Sequence, residues 1–497
     1  MNIKRAKQEI KDTIETYFLK DEWGEYVIPS IRQRPILLLG SPGIGKTQIM
    51  EQIARECQIG LVSYTITHHT RQSAIGLPFI SKKEYAGKEY AVTEYTMSEI
   101  VASIYEKMEQ TGLKEGILFI DEINCVSETL APAMLQFLQC KTFGNHEIPG
   151  GWLIVAAGNP PEYNKSVREF DVVTMDRIRK IEVEADFSVW KEYAYEHHLH
   201  PAVISYLNTK KQYFYQMETT VDGRSFATPR GWEDLSTLLA ISEKTEKIVD
   251  REVVLQYIQH QKIAKDFANY LELFYKYRTD YQIEEIFKGN LNEQLMKKVA
   301  HASFDERLSV LGLLLSKVNE GIQNAVKKER EMEKLQGFLL QYKEKMTTED
   351  SAVGILEQVI EKAKEEKEWK KGAGLLSREE EACYLNGIDC LEVYIQKLKM
   401  DTSLNPLESF EQIKSWFGEE NETYLNVQRS AEKRLTYAFD FLEAAGLTGQ
   451  EMVIFITELA SNSGNVEFLK ECEEERYFQY NKELLFLQKR EKILEKL

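Results

Sequence analysis

One eight-residue pattern restricts the possible folds of this chain more than any other feature. Residues 40–47 read G-x-x-x-x-G-K-T, and the pattern ends in Lys46 and Thr47. An apolar run at 36–39 precedes it, and apolar residues at helical spacing follow it from 49 to 57. A strand, a glycine loop and a helix start are the context in which this pattern binds phosphate. The sequence therefore predicts a nucleotide site within an α/β domain.

The residues of this loop divide the expected contacts with a nucleotide and its metal ion. Backbone N–H groups would surround the β- and γ-phosphates, Lys46 would reach their oxygens, and the Thr47 hydroxyl would hold Mg²⁺. The full set expected to bind the nucleotide is Gly40, Ser41, Pro42, Gly43, Ile44, Gly45, Lys46, Thr47 and Gln48.

Two later strand ends carry the polar groups that hydrolysis requires. Residues 116–120 form an apolar run that ends in Asp121 and Glu122. Asp121 is expected to hold the Mg²⁺ shell, and Glu122 to orient and polarise the attacking water. A further apolar run at 152–157 leads to Asn159, which is placed to bond that water or the γ-phosphate.

Arginines follow at two positions where a guanidinium can act on phosphate. Arg177 precedes a short strand at 181–183, and an arginine there can point into a neighbouring subunit's site and stabilise transition-state charge. Arg168 and Arg179 are rival candidates for this role. Arg230 follows a helix start predicted from an N-cap threonine and a proline at the first helical position.

Taken in order, these motifs resemble those of the AAA+ ATPases, and in detail those of the MoxR branch. That branch belongs to the helix-2-insert group, which includes the dynein-related ATPases. The resemblance covers residues 30–275 and rests on five segments: 40–47, 117–124, 158–160, 175–177 and 228–230. It implies that Lys46 and Thr47 are Walker A, Asp121 and Glu122 Walker B, Asn159 sensor 1, Arg177 the arginine finger and Arg230 sensor 2.

The resemblance also implies how such a protein works. It implies ATP and Mg²⁺ as cofactors and hydrolysis at the subunit interfaces of a ring, with a hexamer expected. The client would be a protein, and a separate chain with a von Willebrand factor A domain is a possible partner. Two inserts, at 68–92 and 141–151, are expected to be surface hairpins, which in related proteins face the ring centre and can contact a client.

The expected fold class is α/β: a P-loop αβα core with a parallel sheet, an all-α lid and a large all-α C-terminal region. The expected boundaries are an N-terminal helical segment at 1–29, the nucleotide-binding core at 30–185, the lid at 186–280 and the helical region at 281–497. That last region would dock a partner or client, or brace the ring.

The helical region shows patterns but no catalytic motif. Apolar residues from 311 to 339 recur near heptad spacing, which indicates a long helix in a bundle or hairpin, with a coiled coil as the alternative. A second helix is expected from Thr347 or Thr348 to the glycines at 372–374, and a capping box at 377–380 starts another. Residues 401–409 are expected to form a loop.

Composition narrows the partners and the location. The net charge of −17 argues against general binding to nucleic-acid backbones, although it leaves room for a local basic channel. The apolar runs are far shorter than the roughly 20 residues of a membrane helix, and the N-terminus lacks the apolar stretch of a secretory signal. A cytoplasmic protein is expected.

Two other functions remain open from the sequence. One is a nucleic-acid-directed NTPase motor of the restriction or defence type, which would need a basic pore. The other is an ATP-gated scaffold with little hydrolysis, against which Glu122 and Asn159 argue. The choice between ATP and GTP is also open, because the recognised residues handle phosphate.

Overall fold

Two compact units make up the chain. The computed structural model describes residues 1–68, 72, 74, 76–143, 146–163, 170–220, 223–346, 351–400, 406–461, 463–472 and 474–482. The first unit comprises Met1–Asp186 together with Glu365–Glu381, and the second comprises Phe187–Lys364 together with Ala382–Leu497.

A five-stranded parallel sheet forms the centre of the first unit. The strands of this unit are β1 Ile36–Gly40, β2 Gly60–Thr65, β3 Pro78–Tyr85, β4 Lys88–Tyr95, β5 Gly116–Asp121, β6 Thr142–Phe143, β7 His146–Glu147, β8 Trp152–Gly158 and β9 Arg179–Val183. The sheet order is β2-β5-β8-β1-β9, and every neighbouring pair is parallel. The polar residues that follow β5 and β8 therefore lie at the same edge as the loop after β1.

Helices cover this sheet and explain its uninterrupted apolar strands. Before residue 187, the helices whose bounds lie within the described residues are α1 Ile3–Tyr17, α2 Lys46–Cys57, α3 Glu99–Thr111, α4 Ala131–Cys140 and α5 Val172–Met175. Residues 117–120 of β5 are fully buried, as are most of those in β8, which is typical of a parallel sheet packed on both faces. The expected α/β core with a parallel sheet is confirmed.

Each of the two expected inserts contributes strands to an antiparallel hairpin. β3 and β4 pair along their whole length, from Pro78 against Tyr95 to Tyr85 against Lys88. The turn between them, at Ala86 and Gly87, has positive φ angles of 52° and 76°. β6 and β7 form the second, shorter hairpin.

The second unit is mainly helical. Its helices, with two that it shares with the first unit, are α6 Phe187–Glu196, α7 Pro201–Thr209, α8 Pro229–Lys244, α9 Arg251–Tyr257, α10 Gln261–Asp280, α11 Ile283–Ile286, α12 Glu293–Ala300, α13 Phe304–Lys345, α14 Ala352–Ala373, α15 Arg378–Met400, α16 Pro406–Ala444, α17 Gln450–Leu459 and α18 Ser463–Glu471. Among the described residues, none of the chain's helices is long and apolar enough to cross a membrane.

One hairpin departs from the all-α expectation for residues 186–280. β10 Gln216–Thr220 pairs antiparallel with β11 Gly223–Ala227. The signal was present in the sequence, because Asp222 followed by Gly223 is a strong hairpin-turn dipeptide between β-branched and aromatic residues.

The expected long helix is α13, which runs for 42 residues. It packs against α16 of the same chain, where Gly321 lies so close that an added Cβ would meet Arg434 Cδ at 2.9 Å. α13 also packs against α7, α10, α17 and α18, so the long helix lies in a helix bundle.

The predicted loop at 401–409 is wrong in its second half. α16 begins at Pro406, and proline suits the first turn of a helix because that turn needs no backbone N–H donor there. Residues 401–405, and the helix start expected at Thr347 or Thr348, lie outside the described residues. The helix in question, α14, is described from Ala352.

The C-terminal end of α14 and the start of α15 belong to the first unit, which the sequence did not predict. The Trp369 indole N–H donates to the Thr111 carbonyl at 2.9 Å, and Lys107 Nζ donates to the Gly372 carbonyl at 3.2 Å. Trp369 of α14 thus donates to the C-terminal end of α3, and Lys107 of α3 donates to the C-terminal end of α14. The last carbonyls of a helix have no N–H partner within that helix, so both bonds satisfy such acceptors. Burial lowers the pKa of Lys107.

The capping box of α15 gives a first prediction. Ser377 Oγ accepts from the Glu380 N–H at 3.1 Å, and a Glu380 carboxylate oxygen accepts from the Ser377 N–H at 2.8 Å. Replacing Ser377→Ala should lower the opening free energy of the first turn of α15 by about 1 kcal/mol, because one N–H loses its acceptor. Native-state hydrogen exchange measures this locally.

Ser377→Asp is the matched control, because it keeps a side-chain oxygen at the cap. Equal losses of protection in both variants would contradict the assigned cap.

Candidate nucleotide-binding site

Glycines shape the loop between β1 and α2. Gly43 and Gly45 have φ angles of 75° and 90°, in the left-handed region that favours glycine. At Gly40, an added Cβ would lie 2.4 Å from the Val183 carbonyl oxygen. The loop ends where α2 begins at Lys46, so that the helix N-terminus faces the loop and favours an anion there.

The Lys46 ammonium links the loop to the end of β8. It is buried and donates to the Gly40 and Ser41 carbonyls at 2.8 Å each, and to Asn159 Oδ1 at 3.1 Å. An ammonium has three N–H donors, and these three oxygens match that number. The structure therefore brings together the two side chains that the sequence assigned to Walker A and sensor 1.

A hydroxyl and a carboxylate meet at the position expected for Mg²⁺. Thr47 Oγ1 donates to Asp121 Oδ2 at 2.9 Å, which joins the start of α2 to the end of β5. Oxygen donors of these two kinds suit Mg²⁺, which binds through one or two protein oxygens together with substrate phosphates. The residues present thus fit a magnesium nucleotide, with Thr47 and Asp121 as the holding groups.

Glu122 is fixed by a residue that the sequence did not single out. Its φ angle is 57°, an unusual value for a residue other than glycine, and one carboxylate oxygen accepts from Thr67 Oγ1 at 2.8 Å. Thr67 follows β2, whose last residue, Thr65, pairs with Asp121. The sequence shows the Thr67 hydroxyl just after β2, but it does not show that β2 lies beside β5. The contact with Glu122 could therefore be predicted only with the strand order.

Asn124 orients the backbone at Asn159. Its Nδ2 donates to the Asn159 carbonyl at 2.7 Å, and its side chain is buried. It packs against Gly158, where an added Cβ would lie 2.6 Å from Asn124 Oδ1. Asn124 was part of the recognised motif but had no assigned role, and the structure makes it a support for Asn159.

The three rival arginines have different surroundings. Arg177 is exposed and donates to Gln139 on α4. Arg179 donates to Thr13 at 2.5 Å and pairs with Glu9, so it holds α1 against β9 and is poorly suited to act on a neighbouring subunit. Arg168 lies outside the described residues.

Arg230 lies in the second unit, at the start of α8. Thr228 caps this helix by accepting the Gly231 N–H at 3.2 Å, and Pro229 occupies the first helical position, as expected. The Arg230 side chain is exposed. A stable cap thus fixes the backbone that carries this arginine.

A cavity of about 580 Å³ opens beside the phosphate loop, within the first unit. Ser41, Asn159 and Tyr163 contribute to its wall, and Ser41 Oγ lies 3.1 Å from the Tyr163 hydroxyl. Its volume is within the range of roughly 300–1,000 Å³ that is usual for small-molecule sites. Tyr163 was not recognised in the sequence.

Comparisons with known proteins agree with this geometry over part of the chain. Residues 36–174 match the model of the family described as ATPase family associated with various cellular activities (AAA). Among curated proteins, none matches this chain in sequence.

A solved structure of a point mutant of Thermotoga maritima RuvB is similar at 15% identity, covering 52% of this chain and 69% of that chain with a TM-score of 0.29. A similarity this distant carries no inference about function. With the sheet order and the loop geometry, the family match supports a P-loop fold of the AAA type at residues 36–174.

Proposed function

We propose that this chain is an ATP-hydrolysing AAA+ protein of MoxR type, which forms a ring and remodels or activates a protein client. One observation supports ATP hydrolysis most directly. Lys46 reaches Asn159 and Thr47 reaches Asp121, so the residues for phosphate, metal and water converge at one sheet edge. The family match to residues 36–174 supports the same activity.

The residues divide the hydrolysis step as follows. Lys46 binds the β- and γ-phosphate oxygens and exchanges its carbonyl contacts for them, while Thr47 and Asp121 hold Mg²⁺. When bound, the metal ion neutralises phosphate charge. Glu122 orients the attacking water and polarises its O–H bond, and Asn159 fixes that water relative to the γ-phosphate. Thr67 sets the orientation of the Glu122 carboxylate.

Arg177 supports a ring with shared sites. It is exposed, and its guanidinium donates a hydrogen bond to Gln139 of its own chain. An exposed guanidinium of this kind is free to reach the phosphate of a neighbouring subunit, where it would stabilise transition-state charge. We infer a closed ring, with six subunits as the expected number, and Arg230 as a further phosphate contact.

The β3–β4 hairpin supports a protein client. Large apolar side chains are exposed along it: Ile80 is 77% exposed, Tyr85 53% and Tyr90 50%. Exposed apolar and aromatic residues on one projecting element are typical of surfaces that bind protein. A separate chain with a von Willebrand factor A domain is a possible partner.

The charges of the same hairpin disfavour the nucleic-acid alternative. Lys82 pairs with Glu89 at 2.9 Å, and Lys83 pairs with Glu94 across the strands. Because cross-strand carboxylates neutralise these lysines, the hairpin offers little net charge to a phosphate backbone. The ATP-gated scaffold is disfavoured because Glu122 and Asn159 are both in place.

Two substitutions should separate binding from hydrolysis. Lys46→Ala should abolish ATP binding, because the loop loses its only side-chain cation. Glu122→Gln should retain ATP binding within about threefold and lose at least about 100-fold in turnover, because the amide cannot polarise water. Fluorescent-nucleotide titration and phosphate release measure the two effects. Undiminished turnover in Glu122→Gln would contradict the assigned role.

Asn124 should matter for rate more than for affinity. Asn124→Ala removes the donor to the Asn159 carbonyl, so Asn159 is held less firmly. We expect turnover to fall by about tenfold while nucleotide affinity changes by less than about twofold, because small misplacements in an active site reduce rates strongly. Steady-state kinetics with a binding titration measure both. A loss of affinity without a loss of turnover would exclude this positioning role.

Mixed rings test the trans arrangement of Arg177. Arg177→Ala alone should lose turnover, and Lys46→Ala alone should lose it too. When the two variants are mixed, a Lys46→Ala subunit can offer its intact Arg177 to a neighbour with an intact phosphate loop, so some activity should return. Arg32→Ala, at another exposed arginine of the first unit, is the control and should keep activity. No recovery in the mixture would show that Arg177 does not act in trans.

A further inference from the structure

We propose that a basic pocket in the second unit binds a small phosphorylated ligand, separately from the phosphate loop. The pocket has a volume of about 360 Å³ and is formed by α13, α16, and α11 with the residues that follow it. This inference goes beyond the ATPase function and does not depend on it.

The charge of the pocket is unexpected for this chain. Acidic residues outnumber basic ones by 80 to 63 in the whole sequence. In the pocket wall the ratio is reversed, because Glu284 is the only acid among the lining residues and four residues are basic: Lys288, Lys317, Lys433 and Arg434. A concave site with an excess of one sign of charge attracts ligands of the opposite sign.

Two of the four cations already have carboxylate partners. Lys288 pairs with Glu285 at 2.6 Å, and Lys317 pairs with both Glu284 and Glu320 at 3.1 Å. Burial alone would lower the pKa of Lys317, but the hydrogen bonds to Glu320 and Glu284 outweigh it, and the pKa is raised. These two lysines therefore stay charged and define the wall of the pocket.

The other two cations have uncompensated charge. Within the described part of the chain, Lys433 and Arg434 form no ion pair with a carboxylate. The Arg434 guanidinium has one long bond, from Nη1 to the Lys317 carbonyl at 3.4 Å. Its aliphatic stem packs against Gly321, where an added Cβ would meet Cδ at 2.9 Å, so the charged end is held in place. A fixed guanidinium fork suits the geometry of phosphate oxygens.

The other lining residues favour a ligand that carries a second chemical group besides phosphate. Ser430 and Tyr437 carry hydroxyl groups into the lining, and Phe287 adds an aromatic surface. The Tyr437 ring sits against Gly289, at 3.2 Å from the position of an added Cβ, and this glycine has a φ angle of 81°. Aromatic rings beside cations suit a planar base attached to phosphate. A mononucleotide is therefore the class of ligand that best fits this wall.

Size and surroundings favour a small molecule over a nucleic-acid strand. Glu284, Glu285 and Glu320 flank the cations, and a phosphate backbone that extended beyond the pocket would meet these acids. A single mononucleotide would avoid most of that repulsion because its charge is confined to one end.

The test uses the full chain with Lys46→Ala, so that the phosphate loop does not bind the probe. Isothermal titration with AMP, and separately with inorganic pyrophosphate, should show one site per chain. Adding Lys433→Gln should weaken binding by about tenfold, because a charge-assisted contact is lost. Lys414→Gln is the matched control, on the same helix with a side chain 67% exposed, and should leave binding unchanged.

A second variant tests whether the loss of binding reflects the lost charge or a loss of folding stability. Arg434→Met keeps the packed stem without the guanidinium, and it should also weaken AMP binding while the thermal unfolding midpoint stays close to that of the parent. Binding that survives both substitutions, or no binding of either probe to the Lys46→Ala chain, would overturn the proposal. It would equally be overturned if a single-stranded oligonucleotide bound through Lys433 more tightly than AMP.

Discussion

The candidate site of the first unit depends on the hydrogen bonds of the Lys46 ammonium. This ammonium joins the Gly40 and Ser41 carbonyls to Asn159 Oδ1, and thereby ties the end of β1, the start of α2 and the end of β8 together. These bonds hold the buried ammonium at the loop before any phosphate is bound. We propose that the oxygens of a bound phosphate replace the two loop carbonyls as acceptors, so that the ammonium changes partners without leaving the loop.

The strand order gives this lysine its partners. β1 lies between β8 and β9, and β8 lies beside β5, so Asn159, Asp121 and the phosphate loop meet at one edge. The bond from Thr67 to Glu122 adds the neighbouring strand β2. The proposed client-binding hairpin follows Thr67 closely in sequence, and Thr67 orients the carboxylate that we propose as catalytic.

Local patterns predicted much of this, and tertiary contacts account for the rest. Features that depend on residues within a few positions could be predicted from the sequence alone. They are the phosphate loop, the Asp121 strand end, the Thr228 cap and the capping box at Ser377.

The Thr67 contact required the strand order, and the docking of Trp369 onto Thr111 joins residues 258 positions apart. The β10–β11 hairpin was missed because its strands are only five residues each, although the dipeptide Asp222-Gly223 is a turn signal in the sequence. The basic pocket draws on three segments and has no local signature.

The most direct test of the central claim is phosphate release per subunit, measured over a range of protein concentrations with molar mass from light scattering in the same buffer. Shared sites predict that turnover per subunit with ATP rises as the mass grows from one chain to a closed ring, because only then does each site receive its neighbour's arginine. A constant rate per subunit across assembly, or no phosphate release from the assembled ring, would contradict the account.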